Sequence, residues 1–188
     1  MAIEFELKYQ ANTDALERIR DAFPGGYTRI PMMTTYYDTP DGSLSARHWT
    51  LRHRQEGDRH VCALKTPASG GARGEWETDS ARITDALETL EKMSGLLLPR
   101  ELVPLCGARF DRETVLLQPE GCSAELALDN GVLLGGGRTE AFCEVELELR
   151  SGSREALEEF GELFSRRFAL TSQPKSKFAR AKTLGQEG

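Results

Sequence analysis

Alternating carboxylates mark two segments of this 188-residue sequence. Near the N-terminus, Glu4, Glu6 and Lys8 alternate with apolar residues, and the segment Cys143–Leu149 spaces three glutamates in the same way. Residues i and i+2 of a β-strand share one face about 6.6 Å apart, so each segment predicts a strand with stacked charges. Because stacked carboxylates repel one another, such a face needs solvent, a basic partner or a cation. Each segment taken alone is also compatible with an ordinary solvated sheet face.

Arginine and lysine collect on other segments of the same alternating kind. Arg52 and Arg54 share one predicted strand face, Lys65 ends another run, and Arg73 aligns with Glu75. Guanidinium groups match phosphate oxygens, whereas Mg²⁺ and Mn²⁺ prefer carboxylate oxygens. Facing walls of glutamate and of arginine or lysine would therefore suit a polyanion that carries a divalent cation. The pattern favours a closed or nearly closed barrel with a charged interior, whose apolar faces turn outward towards packing helices.

The spacing of apolar residues predicts the elements that must position these charges. Alternating runs separated by Gly, Asp, Asn and Pro clusters predict antiparallel hairpins. The predicted strands are Ile3–Tyr9, His48–Arg54, His60–Thr66, Arg73–Thr78, Glu113–Leu117, Ser123–Asp129 and Phe142–Arg150. Helical spacing predicts helices over Thr13–Phe23, Thr84–Met93 and Ser153–Phe168, and a short final helix over Ser176–Leu184. The predicted fold class is α+β, rich in antiparallel strands, with a few peripheral helices.

Composition restricts the classes of protein. The chain is 39% hydrophobic and 29% charged, which predicts a single globular domain over residues 1–188. No segment approaches the roughly 20 apolar residues of a membrane-spanning helix, and Glu4 and Glu6 stand where a secretory signal needs basic and then apolar residues. The net charge of -6 argues against nucleic-acid binding by bulk electrostatics. The four cysteines lack metal-ligand spacing and are interpreted as reduced thiols of a cytoplasmic protein.

Motifs along almost the whole chain resemble those of one known family. The segment Glu4–Lys8 is similar to the ExExK signature of the CYTH superfamily, the triphosphate tunnel metalloenzymes. That signature alone is weak, because such alternation arises by chance. Eight further motifs follow it in the family's order, at Tyr36–Pro40, Leu51–Arg54, Leu64–Thr66, Arg73–Glu75, Phe110–Glu113, Glu125–Gly131, Cys143–Leu149 and Ser176–Arg180.

The resemblance implies a closed eight-stranded antiparallel tunnel that holds a linear triphosphate with Mg²⁺ or Mn²⁺. The metal ligands that it implies are Glu4, Glu6, Glu144 and Glu146, with Asp129 and Glu148 as further or outer ligands. The phosphate cradle that it implies comprises Lys8, Arg52, Arg54, Lys65, Arg112 and Lys177, with Arg180 at the tunnel mouth. Arg73 and Glu75 are expected to orient the basic side chains. The residues expected to carry catalysis are Glu6, Glu146, Lys8, Arg52 and Lys65.

The resemblance is closest to bacterial inorganic triphosphatases, which implies hydrolysis of inorganic triphosphate to pyrophosphate and phosphate. Alternatives within the superfamily are a class IV adenylate cyclase and a thiamine triphosphatase. Outside catalysis, the alternatives are a polyphosphate- or nucleotide-binding module and a pure interaction scaffold. The expected partner is a small triphosphate, with no nucleic acid and no membrane, and the protein is expected to be a monomer or a homodimer.

Several conspicuous residues receive structural interpretations. Trp49 and Trp76 fall on apolar faces and are interpreted as core residues. Tyr36 is interpreted as part of a strand end before a turn. His53 faces away from the arginines on either side of it, so it is not interpreted as a catalytic base.

Overall fold

The computed structural model describes residues 5–67 and 73–186 of the chain, with the backbone alone for residue 73. Within these residues the strands are β1 (Glu6–Ala11), β2 (Thr28–Asp38), β3 (Thr50–Glu56), β4 (Arg59–Pro67), β5 (Arg73–Asp79), β6 (Val103–Leu117), β7 (Cys122–Gly135), β8 (Arg138–Gly152) and β9 (Thr171–Ser172). The helices are α1 (Thr13–Ala22), α2 (Ser43–Ala46), α3 (Ile83–Ser94), α4 (Arg154–Phe168) and α5 (Lys177–Leu184). This composition confirms the α+β class.

All the strands form one antiparallel sheet, in the order β5-β4-β3-β2-β6-β7-β8-β1-β9. The expected barrel has eight strands and closes on itself. Over the described residues the hydrogen-bonded order instead ends at β5 on one side and at the two-residue β9 on the other. The large antiparallel sheet is therefore confirmed, whereas its closure into a tunnel stays a prediction.

The central strands differ from the predicted ones. Strands β6, β7 and β8 are 15, 14 and 15 residues long, well beyond the predicted runs in the same places. Strand β2 is missing from the predicted set, and its burial pattern explains why. Met32, Thr34, Tyr36 and Asp38 are all buried on one face, so two polar residues interrupt the apolar alternation on which the prediction depends.

Helices cover the apolar face of the sheet, as the sequence predicted. Helices α1 and α4 lie over β7, β8 and β1, where residues such as Leu126 and Leu147 are fully buried. Helix α3 lies over β4 and β5, and both tryptophans pack against its cluster. Full burial of a leucine side chain contributes about 2 kcal/mol. These apolar layers therefore hold the opposite, charged face in a fixed position.

Helix α5 packs on the charged side of the sheet. Ala181 is fully buried among Met32, Phe110 and Phe142. At Gly135 a Cβ atom would lie 2.1 Å from the Ala181 carbonyl oxygen, so only glycine permits this close approach. Ser176 caps the helix by accepting a hydrogen bond from the Ala179 amide. The predicted helix over Ser176–Leu184 is confirmed, and it presents its first turn to the charged face.

Two further observations bear on the class of protein. The described helices include none with the length and apolar character needed to cross a membrane. All four cysteines are free thiols; Cys62 is buried and the other three are half-buried.

Candidate active site

Strand register brings the charged residues onto one face of the sheet. Arg112 lies opposite Asp129, which lies opposite Glu144. Glu146 lies opposite Lys8 on the neighbouring strand. Because directly opposed residues of an antiparallel pair share a face, these side chains form one continuous charged surface. Helices α1, α3 and α4 pack on the other face, whereas α5 packs on the charged side.

Three carboxylates converge at the centre of this surface. Oxygen atoms of Asp129, Glu144 and Glu146 lie within 4.8 Å of one another. Asp129 is fully buried, and Glu144 is only 1% exposed. Three carboxylates in this arrangement fit a hard divalent ion such as Mg²⁺ or Mn²⁺, which takes oxygen ligands. We call these three residues the acidic cluster.

Lys177 reaches the acidic cluster from the first turn of α5. Its Nζ atom donates to Glu144, lies 2.8 Å from Glu146 Oε1 and lies 2.9 Å from Asp129 Oδ2. Burial opposes its charge, yet the three surrounding carboxylates raise the pKa of Lys177 above its ordinary value. The ammonium group therefore stays charged at neutral pH.

Two arginines complete the neutralisation of the acidic cluster. Arg112 donates to both oxygens of Asp129 at 2.7 Å and also to Glu146. Arg180, one turn along α5 from Lys177, donates to Glu144. With Lys177 these arginines supply three positive charges to three carboxylates. The bidentate geometry of Arg112 is the strong form of such a pair.

The two glutamates of the acidic cluster have different proton affinities. Burial would raise the pKa of Glu146, but Lys177 and Arg112 outweigh burial and hold this pKa well below its usual range. For Glu144, burial raises the pKa more than the attraction of Lys177 lowers it. The negative charge of nearby Glu146 raises the pKa further, so the pKa of Glu144 is raised overall. Glu146 therefore stays ionised to lower pH than Glu144 does, which makes it the better ligand for a cation.

The other predicted metal ligands lie further along the same face. Glu6 lies opposite Glu148 on β8, and its carboxylate is 3.3 Å from the Lys8 ammonium. Glu148 pairs with Arg150 at 2.7 Å, but burial raises its pKa, and Glu125 and Glu6 add to the increase. These carboxylates form an outer row beside the acidic cluster. Glu4 lies outside the described residues.

Basic residues dominate the surface on β3 and β4. Arg52 lies 2.8 Å from Glu77 and 3.5 Å from Glu75, and Lys65 lies 2.7 Å from Glu75. Glu75 thus lies between Arg52 and Lys65. Burial would raise the pKa of Glu75, but Lys65 and Arg52 lower it, so it remains a carboxylate. The Arg73 side chain is not among those described.

Arg54 is a buried charge of this surface. It is 9% exposed, and its Nε atom donates to Thr34 Oγ1 at 2.9 Å. Burial, together with the positive charges of Arg52 and Arg112, lowers the pKa of Arg54 to about 10. A buried guanidinium beside like charges is stabilised by an anion.

Two buried hydrogen-bond donors also indicate that this surface binds an anion. The Nε atoms of Arg52 and Arg180 are buried, and within the described part of the chain neither has a hydrogen-bond partner. Buried donors are nearly always paired in native proteins, because an unpaired donor loses its hydration without compensation. Both of these donors belong to residues of the predicted phosphate cradle.

Sequence analysis did not identify two aromatic rings of the site, those of Phe110 and Phe142. The cationic groups of Arg54, Arg112 and Lys177 lie 5.9, 5.7 and 5.3 Å from the centre of the Phe110 ring. Lys177 lies 5.5 Å from the Phe142 ring and Arg180 lies 5.3 Å from it. Ring faces at such distances attract cations. The signal for Phe110 was its position two residues before Arg112, which places both residues on one strand face.

Comparison with known proteins identifies the family of this chain. The CYTH domain family matches residues 2–181. The chain belongs to the CYTH family. An inorganic triphosphatase of Haemophilus influenzae is 31% identical to this CYTH chain over 152 residues, which are 76% of the chain and 43% of that protein. The chain therefore spans less than half the length of this curated relative.

Solved structures share the fold of this CYTH chain at lower identity. HpAC1 of Hippeastrum, a proposed adenylyl cyclase with a dominant triphosphatase activity, is 22% identical with a TM-score of 0.67, covering 96% of the chain and 95% of HpAC1. A proposed adenylate cyclase of Bacillus halodurans is 21% identical with a TM-score of 0.66, covering 93% and 94% of the two chains. At these identities the likeness shows the fold alone.

Proposed function

We propose that this CYTH protein hydrolyses inorganic triphosphate to pyrophosphate and phosphate on its charged face, with Mg²⁺ or Mn²⁺. The observation that carries the proposal is that the acidic cluster shares one surface with buried guanidinium donors that have no hydrogen-bond partner among the described residues. A site for a metal alone needs no surplus arginine, and a site for an anion alone needs no converging carboxylates. The triphosphatase relative at 31% identity supports the same substrate class.

Asp129, Glu144 and Glu146 would hold the divalent ion, since their oxygens already converge. The resemblance adds Glu4, Glu6 and Glu148 as further ligand candidates, and Glu6 and Glu148 lie in the neighbouring outer row. A divalent ion in this place would neutralise phosphate oxygens as negative charge shifts during phosphoryl transfer.

The basic residues would hold the triphosphate in line. Those assigned to the cradle are Lys8, Arg52, Arg54, Lys65, Arg112, Lys177 and Arg180, which lie on β1, β3, β4, β6 and α5. Cations from several elements fix a flexible polyanion in one orientation and stabilise the charge that develops on its oxygens. We further propose that the sheet curves into a tunnel, so that the cations of β3 and β4 face the acidic cluster across the substrate.

Within this arrangement we assign two kinds of catalytic task. Glu6 and Glu146 serve the metal-dependent step, and Lys8, Arg52 and Lys65 neutralise the phosphate oxygens. Glu75 acts through Lys65 and Arg52, to which it is ion-paired, and is therefore a positioning residue. We assign Arg73 the same positioning task from its place on the strand before Glu75.

The proposal is tested by phosphate release from inorganic triphosphate, ATP and thiamine triphosphate in parallel, each with Mg²⁺, Mn²⁺ or EDTA. We expect metal-dependent release that is much faster from inorganic triphosphate than from the other two. The Arg52→Met variant should lose this activity. Arg166→Met is the matched control, because Arg166 is a 74% exposed side chain on α4. Equal activity in both variants would show a contaminating phosphatase.

Other outcomes would reassign the protein. Cyclic AMP and pyrophosphate formed from ATP, without triphosphate hydrolysis, would assign an adenylate cyclase. Faster release from thiamine triphosphate would assign that substrate. Mg²⁺-dependent binding of triphosphate without turnover would leave a binding module.

A further inference from the structure

The ammonium group of Lys177 lies at the centre of the acidic cluster. Its Nζ atom contacts all three carboxylates, at 2.8 Å from Glu146, at 2.9 Å from Asp129 and by a hydrogen bond to Glu144. The side chain is 7% exposed, and it enters from α5 rather than from the strands that carry the carboxylates. A cation that belongs to the chain therefore occupies the point on which the three oxygens converge.

A divalent ion needs these same oxygen atoms. Mg²⁺ and Mn²⁺ bind carboxylate oxygens at about 2.0–2.3 Å, inside the contact distance of an ammonium nitrogen. One oxygen from each of the three carboxylates lies within 4.8 Å of the other two, which leaves room between them for one cation. The lysine ammonium and the metal therefore exclude each other from this position.

We propose that Lys177 is a tethered cation that occupies the metal position of the acidic cluster until a divalent ion displaces it. The inference rests on the proposed function in one respect, namely that the acidic cluster is the place where the metal binds. Only molecules in which this position is free can bind the metal. Occupation by Lys177 therefore reduces the apparent metal affinity to the intrinsic affinity multiplied by that free fraction. It also keeps a deeply buried carboxylate group neutralised when metal is absent.

Displacement would convert Lys177 from a counter-ion into a phosphate ligand. Once a metal holds the carboxylates, the freed ammonium becomes available to the substrate's oxygens. Triphosphate that draws Lys177 away would in turn open the metal position. Because coupling between two ligands is reciprocal, metal and triphosphate would each raise the affinity for the other.

The exchange can proceed while α5 stays folded. Lys177 is the first residue of α5, and the helix is held independently by its Ser176 cap and by buried Ala181. The lysine stem has four rotatable bonds. In the position that the structure shows, the ammonium also lies 5.3 Å from the Phe110 ring and 5.5 Å from the Phe142 ring.

The first test measures Mn²⁺ binding to metal-stripped protein by calorimetry, without triphosphate. We expect Lys177→Met to bind Mn²⁺ about tenfold more tightly than the wild type or better, because the methionine keeps the apolar stem but lacks the competing charge. Lys175→Met makes the same change in net charge at an exposed position and should stay within about twofold of the wild type.

A second variant separates displacement from general electrostatics. Arg180 contacts Glu144 but does not lie at the centre of the acidic cluster. Arg180→Met should therefore increase Mn²⁺ affinity clearly less than Lys177→Met does. Equal gains in the two variants, or no gain in Lys177→Met, would overturn the inference.

The third test uses the wild-type protein and depends on no substitution. Amine labelling with a succinimidyl ester, followed by peptide mass spectrometry, should find Lys177 protected in metal-free protein. Saturating Mg²⁺ should increase labelling of Lys177 severalfold, while exposed Lys175 stays constant as an internal control. Unchanged protection of Lys177 with bound Mg²⁺ would overturn the inference.

Triphosphate hydrolysis, assayed on the same preparations, separates failure of this inference from failure of the proposed function. Metal-dependent hydrolysis by the wild type, with no gain in Mn²⁺ affinity in Lys177→Met, overturns the inference alone. Tighter Mn²⁺ binding in Lys177→Met, with no hydrolysis of any triphosphate by the wild type, supports the inference and overturns the proposed activity.

Discussion

The charged face has two halves that manage buried charge in opposite ways. In the acidic half, the three clustered carboxylates on β7 and β8 are matched by three cations, two of them from α5. In the basic half, Arg52 pairs with Glu75 and Glu77 and Lys65 pairs with Glu75, whereas Arg54 reaches Glu56 only at 3.9 Å. The acidic half is paired at short distance throughout, whereas Arg54 in the basic half has no close carboxylate partner among the described residues.

The difference shows which half depends on a ligand. Separating a buried ion pair leaves an uncompensated charge, so the paired acidic half tends to keep its geometry without a substrate. Burial, together with the positive charges of Arg52 and Arg112, lowers the pKa of Arg54 to about 10, so the folded protein favours an added anion there. We therefore expect substitutions in the acidic half to affect metal binding and turnover, and removal of the buried Arg54 cation from the basic half to affect substrate binding.

The largest effect is expected in the acidic half. Glu146→Gln keeps the shape of the side chain but removes the charge that Lys177 and Arg112 stabilise. We expect kcat for triphosphate hydrolysis to fall by about 10³-fold and Mn²⁺ affinity to fall with it. Glu162→Gln is the control, since that side chain is 71% exposed on α4. Full activity in Glu146→Gln would remove Glu146 from the metal site.

The second effect is expected in the basic half. Arg54→Met removes a buried guanidinium that has no close carboxylate partner among the described residues and is therefore available to an anionic substrate. KM for triphosphate should rise by about 30-fold. Mn²⁺ affinity, measured by calorimetry, should remain within about twofold of the wild type, because the acidic half keeps all its pairs. Arg29→Met, at a 65% exposed side chain, controls for the loss of one positive charge. An unchanged KM, or a large loss of metal affinity, would break the division between the halves.

The sequence predicted the two faces of the sheet better than it predicted the site. Strict alternation in segments such as Val145–Leu149 separated charged from apolar residues, because one face packs under helices throughout. Alternation could not show which stacked carboxylates converge. Strand register decides this point: Glu144 lies opposite Asp129, whereas Glu6 lies opposite Glu148.

Long-range contacts of the site were equally beyond a local pattern. Lys177 was predicted as a phosphate ligand by resemblance, but its place inside the acidic cluster depends on how α5 packs against β6 and β7. That packing requires the close approach at Gly135 and the buried Ala181, which are 46 residues apart in the sequence. Strand β2 was missed for a related reason, since Thr34 is a polar residue buried because it pairs with Arg54.

A third, smaller effect tests how the basic half is ordered. Glu75 lies between Lys65 and Arg52, so Glu75→Gln removes the charged partner of Lys65 and leaves Arg52 paired with Glu77 alone among the described residues. We expect kcat/KM for triphosphate to fall by about tenfold, because hydrogen bonds to charged groups contribute about 1.5–3 kcal/mol.

The split between kinetic constants distinguishes positioning from simple destabilisation. If Glu75 positions the cradle, kcat should carry most of the loss, while the melting temperature and Mn²⁺ affinity stay near those of the wild type. A fall in melting temperature with unchanged kcat would assign Glu75 a structural role only. Glu77→Gln is the matched comparison, since Glu77 contacts Arg52 but its side chain is 42% exposed.

The smallest effect concerns the apolar face directly behind the basic half. His53 lies between Arg52 and Arg54 in sequence but on the opposite face, where its ring stacks on His60. Burial, with the charge of His60 as a second cause, lowers the pKa of His53 below 6.5. The unfolded chain therefore binds this proton more readily than the folded protein does. Stability from this group is present above about pH 6.5 and is lost as the pH falls through the folded pKa.

His53→Gln should therefore reduce the fall in melting temperature between pH 7 and pH 5, while KM for triphosphate at pH 7 stays unchanged. Exposed His48, replaced in His48→Asn, should keep the wild-type pH dependence. If His53→Gln alters KM as strongly as Arg54→Met does, the two faces of β3 are not independent. The helix-covered face would then contribute directly to the chemistry of the charged one, through the backbone that both faces share.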